Sequence, residues 1–189
     1  VAAHQLKIPL LASLRVVRQN RPFLTLLIAR FTVSFSYNIV SMLAFYMNVY
    51  YVFGGDVKGS AVAFGFVGSS YHVVAIIASL LFYPWLSRRV GKKVVFQIAA
   101  GLLMAGCLSK LFLYQPGHPW LQLIVIGTNG LSSAGMALMA GAMLVDIADL
   151  DEWETGNRRE GLFASVLSWF DKAGMSFGAL LGGFVLVWI

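Results

Sequence analysis

The chain has 189 residues, of which 59% are hydrophobic and only 12% carry a charge. Soluble domains average about 25% charged residues, so this composition excludes an ordinary soluble domain and predicts a membrane protein. The net charge of +6 does not indicate nucleic-acid binding, because the basic residues lie in short segments between apolar runs. The single cysteine, Cys107, excludes an internal disulfide and a cysteine-cluster metal site.

Five apolar runs are long enough to cross the hydrocarbon core of a bilayer, which takes about 20 residues. In chain order they are residues 23–53, 60–86, 94–114, 120–145 and 161–189. Residues 1–22 mix basic and apolar side chains, which predicts a cytoplasmic amphipathic segment or linker. The predicted fold class is therefore an all-α membrane protein with five transmembrane helices.

The basic residues predict the orientation of these helices. The connections are short, so neighbouring helices run antiparallel and alternate connections lie on opposite sides of the membrane. One side carries Lys7, Arg15, Arg18, Arg21, Arg88, Arg89, Lys92, Lys93, Arg158 and Arg159, whereas the other carries only Lys58. The positive-inside rule then places the amino terminus in the cytoplasm. Arg30 and Lys110 lie nearer helix ends and are expected to snorkel toward water.

The last run has a polar stripe near its middle. At about 3.6 residues per turn the stripe contains Ser165, Ser168, Lys172 and Ser176, with Trp169 beside it. Gly174, Gly178 and Gly182 lie on another face, a pattern typical of close helix packing. Lys172 is about 16 Å along the helix, near the bilayer midplane. Charged residues at that depth usually face a cavity and mark a solute or ion path.

Two interpretations of the adjacent Asp171 and Lys172 remain open. Neighbouring helix positions point about 100° apart, so Asp171 can meet another helix while Lys172 faces a solute cavity. Alternatively, both belong to a buried structural ion-pair network. A weaker polar stripe on the first run, which includes Asn38 and Ser41, is expected to line the same cavity.

The connection "DIADLDEWETGNRRE" between the last two runs is rich in both signs of charge. It lacks the ligand order of a calcium-binding loop, so it does not predict a metal site. Salt bridges that exist in only one conformational state are the better interpretation. The residues concerned are Asp146, Asp149, Asp151, Glu152, Arg158, Arg159 and Glu160.

The segment "DIADLDEWETGNRREGLFASVLSWFDKAG" resembles the glycoside–pentoside–hexuronide:cation symporters, a branch of the major facilitator superfamily. "NRPFLTLLIARF", "VFGGD" and "SRRVGKK" are similar to other parts of that family's carboxy-terminal half. The resemblance implies helices seven to eleven of a twelve-helix transporter in the bacterial cytoplasmic (inner) membrane. It also implies cation-coupled symport of a sugar or sugar-like solute by alternating access.

The resemblance implies roles for individual residues. Lys172 matches a family lysine that is implicated in the solute cavity and in coupling. Ser168 matches a hydroxyl position near the bound sugar. The charged residues of the connection correspond to a family loop that is linked with gating. Asp171, which the resemblance does not match to a family position, is expected to act in coupling or gating. Leu167 stands where a glutamine is common, and Ala137 where a relative has a sugar-stacking tryptophan, so a galactoside is not implied.

The implied partners are a glycoside, pentoside or uronide solute, the lipid bilayer and an amino-terminal half that carries most of the cation's carboxylates. No cofactor is expected beyond the coupling cation, Na⁺ or H⁺. Two alternatives remain: the same fold carrying a non-sugar amphiphilic solute, and a non-transporting membrane scaffold. An enzyme is not predicted, because His4, His72 and His118 are too scattered to form a catalytic set.

Overall fold

The computed structural model describes residues 17–188, which are almost entirely helical. Helix α1 (Arg21–Tyr46) continues as a π-helical segment, Met47–Val52. Helix α2 (Val57–Ile77) passes through a second π-helical segment, Ala78–Phe82, into α3 (Tyr83–Val90). The remaining elements are α4 (Lys92–Leu113), a 3-10 turn (Pro119–Leu121), α5 (Gln122–Thr155) and α6 (Glu160–Trp188). Most of the amphipathic segment predicted for residues 1–22 lies outside the described residues.

These elements form five helices that are long and apolar enough to cross a membrane, and the predicted fold class is confirmed. We number them span 1 (Arg21–Val52), span 2 (Val57–Val90), span 3 (Lys92–Leu113), span 4 (Pro119–Thr155) and span 5 (Glu160–Trp188). The basic end of the bundle is the end where span 1 begins and span 2 meets span 3. The far end is the opposite one.

Local capping fixes where the first two spans begin. The Asn20 side chain accepts a hydrogen bond from the Phe23 amide at 3.0 Å, and Pro22 occupies the first turn. The Asp56 carboxylate accepts bonds from the amides of Lys58 and Gly59, both at 3.1 Å. Each cap satisfies amides that the first helical turn cannot satisfy itself, so these helices start at defined residues.

Span 4 extends well beyond the end expected from the apolar run. The sequence predicts a helix to Val145, whereas the structure continues it to Thr155. Gly156 then adopts a left-handed conformation with φ of 69° and its amide bonds to the Glu152 carbonyl. Hydropathy shows where the apolar part of a helix ends but not where the helix itself ends. Glycine readily adopts the left-handed conformation that terminates a helix. The acidic part of the predicted connection is therefore helical.

Span 5 packs on span 1 through its glycine face. A Cβ placed on Gly174 would lie 2.9 Å from the Phe31 carbonyl oxygen, and one on Gly178 would lie 2.5 Å from the Phe35 carbonyl oxygen. These separations leave no room for a side chain. The predicted small-residue packing face is confirmed, and span 1 is the helix that it contacts.

We expect Gly178→Ala to destabilise the full-length protein by about 1–3 kcal/mol, the usual cost of overpacking. The Phe35 backbone cannot yield without shifting span 1. Gly183→Ala is the matched control, because its Cβ would meet the Met42 methyl group at an ordinary 3.8 Å. Thermal unfolding of the purified variants measures the difference, and equal melting temperatures would contradict the packing.

Tyrosines connect span 2 to span 4. The Tyr83 hydroxyl donates to the Leu131 carbonyl oxygen at 2.7 Å, and its ring covers Gly135. The Tyr71 hydroxyl donates to Ser133 Oγ at 2.5 Å. Both tyrosines satisfy their hydroxyls inside the bundle, so they set the register between these two spans.

A buried chain of two amides and a hydroxyl connects spans 1, 2 and 4 toward the far end. Asn48 Nδ2 donates to Ser60 Oγ at 3.0 Å, and Gln122 Nε2 donates to Asn48 Oδ1 at 2.6 Å. All three side chains are buried. Because an unpaired buried amide is costly, this network holds the three helix ends together.

Candidate functional site

The polar stripe of span 5 forms an open groove of about 440 Å³. Its lining residues are Ala164, Ser165, Ser168, Trp169 and Lys172. Ser176 lies on the same exposed side one turn further along. The groove belongs to a single helix and is lined on the side that span 1 does not cover.

The Lys172 amine is exposed in this groove. Within residues 17–188, no carboxylate lies within 4.0 Å of it. Lys172 is about 18 Å from the start of span 5, and Trp169, one turn earlier, is 66% exposed. A charge facing lipid at that depth costs at least about 2.5–3.5 kcal/mol, so this side of the helix is suited to a polar occupant. An amine, two hydroxyls and an indole can together bind hydroxyl groups and cover a ring.

Asp171 faces span 1 and not the groove. Arg30 Nη2 donates to its Oδ2 at 2.6 Å, and the Ser34 hydroxyl donates to its Oδ1 at 3.1 Å. Both charged side chains are only 18% exposed. Asp171 therefore meets another helix while Lys172 points to a different side, as the first of the two interpretations expected, and among residues 17–188 the two do not share one ion-pair network.

The expectation that Arg30 snorkels is wrong. Arg30 lies about 14 Å into span 1 and Asp171 about 16 Å into span 5, so the two are at similar depth. The Arg30 guanidinium is much closer to the Asp171 carboxylate, at 2.6 Å, than to the start of its helix. The close approach of the two helices at Gly174 allows this pair to form. A sequence separation of 141 residues hides this contact from any local pattern.

The polar stripe predicted on span 1 is divided between two surroundings. Asn38 Nδ2 donates to the Ser34 carbonyl oxygen at 2.9 Å, and its Cβ lies beside Gly178 of span 5. Ser41 lies on another side of the helix and lines a different pocket. Neither residue lines the groove of span 5, so the structure does not bring the predicted cavity residues into one place.

The second pocket, which we call the inner pocket, lies among spans 1–4 and has a volume of about 250 Å³. Its polar lining comprises Tyr37, Ser41, Tyr71, His72, Lys110, Tyr114 and Asn129. Lys110 is only 9% exposed, so the expectation that it snorkels is also wrong. The sequence places Lys110 in an apolar run but does not reveal which spans surround it.

Ion pairs connect elements at the basic end. The pairs are Lys92–Asp146 at 2.6 Å, Arg159–Asp151 at 3.7 Å and Arg158–Glu160 at 3.2 Å. Asp149 and Glu152 are exposed. Lys92, which the sequence analysis used only to orient the helices, connects span 3 to span 4. In the part of the chain that the structure describes, no group of three or more His, Cys, Asp or Glu side chains could hold a metal ion.

The two positions where the chain departs from the family pattern differ in their surroundings. Leu167 is buried in the apolar core beside the Phe23–Phe163 ring contact, so this position does not contribute to the groove. Ala137 is exposed on span 4.

The sequence matches one family over nearly its whole length. The profile of a family described as MFS/sugar transport protein matches residues 2–189. An uncharacterized symporter of Synechocystis is 26% identical over 179 residues, which cover 95% of this chain and 32% of the symporter. The isoprimeverose transporter of Lactiplantibacillus pentosus is 27% identical over 183 residues, or 95% of this chain and 36% of that protein.

The glucuronide carrier protein homolog of Escherichia coli is 27% identical over 177 residues, which cover 92% of this chain and 36% of that protein. The chain thus spans about a third of the length of the curated relatives it matches. No solved structure matches it.

Proposed function

Because the chain belongs to the MFS/sugar transport protein family, we propose that its full-length protein is a cation-coupled symporter of a sugar or sugar-like solute. The family consists of transporters and not of enzymes. The names of the relatives, which include symporters, an isoprimeverose transporter and a glucuronide carrier homolog, support this assignment. The solute would be a glycoside, pentoside or uronide, and the cation Na⁺ or H⁺.

The five spans would form part of the carboxy-terminal half of a twelve-helix fold in a bacterial inner membrane, with the basic end in the cytoplasm. Substrate sites of such transporters lie near the midplane between two halves. The coverage of about a third of each relative supports the view that the chain forms only a part of such a fold. The amino-terminal half would close the groove of span 5 and supply most carboxylates for the cation.

The observation that carries the proposal is the exposed Lys172 beside Trp169 at mid-depth, with no carboxylate partner among residues 17–188. In a complete transporter this side would face the other half across a water-filled cavity. The Lys172 ammonium would then donate to a hydroxyl or carboxylate oxygen of the solute, and Ser165 and Ser168 would bond further hydroxyls. The Trp169 indole would stack on the apolar face of a sugar ring.

The Arg30–Asp171 pair would make spans 1 and 5 move together. The ion pair and the Ser34 bond fix the rotation of span 5 about its axis. That rotation decides which way Lys172 points, so Asp171 positions the solute-facing residues although it does not line the groove. A change at Asp171 would therefore alter the direction in which Lys172 points. In this way Asp171 would take part in coupling.

The ion pairs at the basic end would act as gating contacts. Lys92–Asp146 connects spans 3 and 4, and Arg159–Asp151 connects the start of span 5 to span 4. Pairs that exist in one state and break in the other bias the equilibrium between the two. The exposed Asp149 and Glu152 would be available for pairing with the amino-terminal half.

The proposal is tested by uptake in membrane vesicles that contain the full-length protein. A panel of labelled glycosides, pentosides and uronides is offered with and without a Na⁺ or proton gradient. We expect saturable uptake of one panel member, abolished when the gradient is collapsed. Uptake of an amphiphilic non-sugar solute alone would favour the alternative cargo, and absence of all transport would favour a scaffold.

A further inference from the structure

The part of span 2 nearest the basic end carries an ordered row of exposed side chains. Leu81 and Phe82 come first, Trp85 follows about one turn later, and Arg88 and Arg89 follow Trp85 by three and four positions. Side chains three and four positions apart are neighbours on a helix surface, so the five residues form one continuous strip. This strip, which we call the Trp85 strip, changes from apolar to aromatic to cationic toward the end of the helix.

Contacts of the Trp85 ring connect the apolar and the cationic parts of the strip. The ring centroids of Phe82 and Trp85 are 6.4 Å apart, and the guanidinium carbon of Arg89 lies 4.7 Å from the Trp85 ring centroid. Trp85 is nevertheless 51% exposed, so residues 17–188 leave about half of its surface uncovered. The attraction between a cation and an indole uses no hydrogen bond, so the N–H donors of Arg89 remain available to a ligand.

The cationic end of the strip lacks a counter-charge in the described part of the chain. The sequence contains no Asp or Glu between Asp56 and Asp146, and Asp146 pairs with Lys92. Arg88 and Arg89 are both exposed, and no carboxylate of residues 17–188 lies within 4.0 Å of either guanidinium group. Two adjacent positive charges are therefore presented together to an anionic partner.

The depth of the strip indicates what kind of anion it meets. Span 2 has 34 residues and is about 50 Å long, whereas the hydrocarbon core is about 30 Å thick, so its last turns reach the headgroup region. A phospholipid presents acyl chains, a glycerol region and a phosphate in the same order as the strip presents apolar, aromatic and cationic side chains. A soluble anion would leave Leu81 and Phe82 without a partner.

We propose that the Trp85 strip is a binding site for an anionic phospholipid. The guanidinium groups of Arg88 and Arg89 donate to the lipid phosphate, and the Trp85 indole lies at the level of the glycerol region. An acyl chain covers Leu81 and Phe82. None of the five residues lines the groove of span 5 or the inner pocket, so the lipid site does not depend on which solute the protein carries.

The test is thermal unfolding of the purified full-length protein in detergent, titrated with phosphatidylglycerol or with phosphatidylcholine of the same acyl chains. A lipid that binds the native state raises the melting temperature in a saturable way. We expect the half-maximal increase at about tenfold lower mole fraction of phosphatidylglycerol, because two arginines favour an anionic over a neutral headgroup. Glycerol 3-phosphate, which has the phosphate without acyl chains, should cause no saturable increase. An equal increase with glycerol 3-phosphate would indicate a site for soluble anions and overturn the proposal.

Two double variants distinguish a defined site from general attraction by positive charge. Arg88→Gln/Arg89→Gln is expected to lose the preference for phosphatidylglycerol. Arg18→Gln/Arg21→Gln removes two exposed arginines from the same end of the bundle and should keep the preference, although its net charge is the same. Comparison of the two lipids within each variant cancels any change in the stability of the lipid-free protein. Equal loss of the preference in both double variants, or no preference in the wild-type protein, would overturn the proposal.

Discussion

Replacement of Lys172 by Met is expected to reduce gradient-driven uptake about ten- to a hundredfold per protein molecule in the membrane. A hydrogen bond to a charged group contributes about 1.5–3 kcal/mol, and each 1.4 kcal/mol is about tenfold in affinity. Met keeps most of the volume and the helix propensity of lysine, so the change removes the charge and the donors. The measurement is initial uptake of the panel solute at low concentration, normalised to the amount of protein in the vesicles.

Lys93→Met is the matched control for this experiment. Lys93 is an exposed lysine at the basic end, one residue after Lys92, and it takes part in none of the ion pairs of the described residues. It should retain wild-type uptake. If Lys172→Met retained as much uptake as Lys93→Met, Lys172 would have no part in solute binding.

Single replacements in the Arg30–Asp171 pair are expected to be more harmful than the double replacement. Removal of one partner leaves an uncompensated charge at mid-depth, and such losses cost about 3–5 kcal/mol for buried pairs. Asp171→Leu and Arg30→Met should each lower the melting temperature sharply. The double variant Arg30→Met/Asp171→Leu should recover much of the loss, because no unpaired charge remains.

The pair is measured by thermal unfolding of the purified full-length variants as a double-mutant cycle. Additive losses in the double variant would contradict a direct interaction between Arg30 and Asp171. Uptake by the recovered double variant then separates two roles of Asp171. Accumulation of solute at the wild-type level would limit Asp171 to holding span 5 in place, whereas uptake that no longer follows the cation gradient would support a role in coupling.

The parts of the fold that could be predicted from the sequence are those set by local physics. Hydropathy located five spans, and the spacing of Gly174, Gly178 and Gly182 identified a packing face. The helical period placed Ser165, Ser168 and Lys172 on one side of span 5, as the groove confirms. The end of span 4 was missed because helix formation continues through polar residues after the hydrocarbon ends.

The parts that could not be predicted depend on which helices are neighbours. The sequence alone places both Arg30 and Lys110 near the edge of the membrane. Only the packing of the spans shows that Arg30 is paired with Asp171 and that Lys110 is buried. The Asn48–Gln122 bond joins residues 74 positions apart, and neither residue has a local pattern that indicates the other. Asn38 and Ser41 were grouped by helical period alone, although span 5 covers one of them and not the other.

In the proposed transporter the groove of span 5 faces water and solute and not lipid. The most direct test is labelling of Ser168→Cys in the full-length protein, with the native Cys107 replaced by alanine and a membrane-impermeant thiol reagent supplied to vesicles of either orientation. We expect Ser168→Cys to be modified rapidly, and we expect the transported solute to slow this modification. The lipid-side reference is Leu111→Cys, since Leu111 is an exposed apolar residue of span 3. Modification of both positions at the same slow rate, without protection by solute, would contradict the claim.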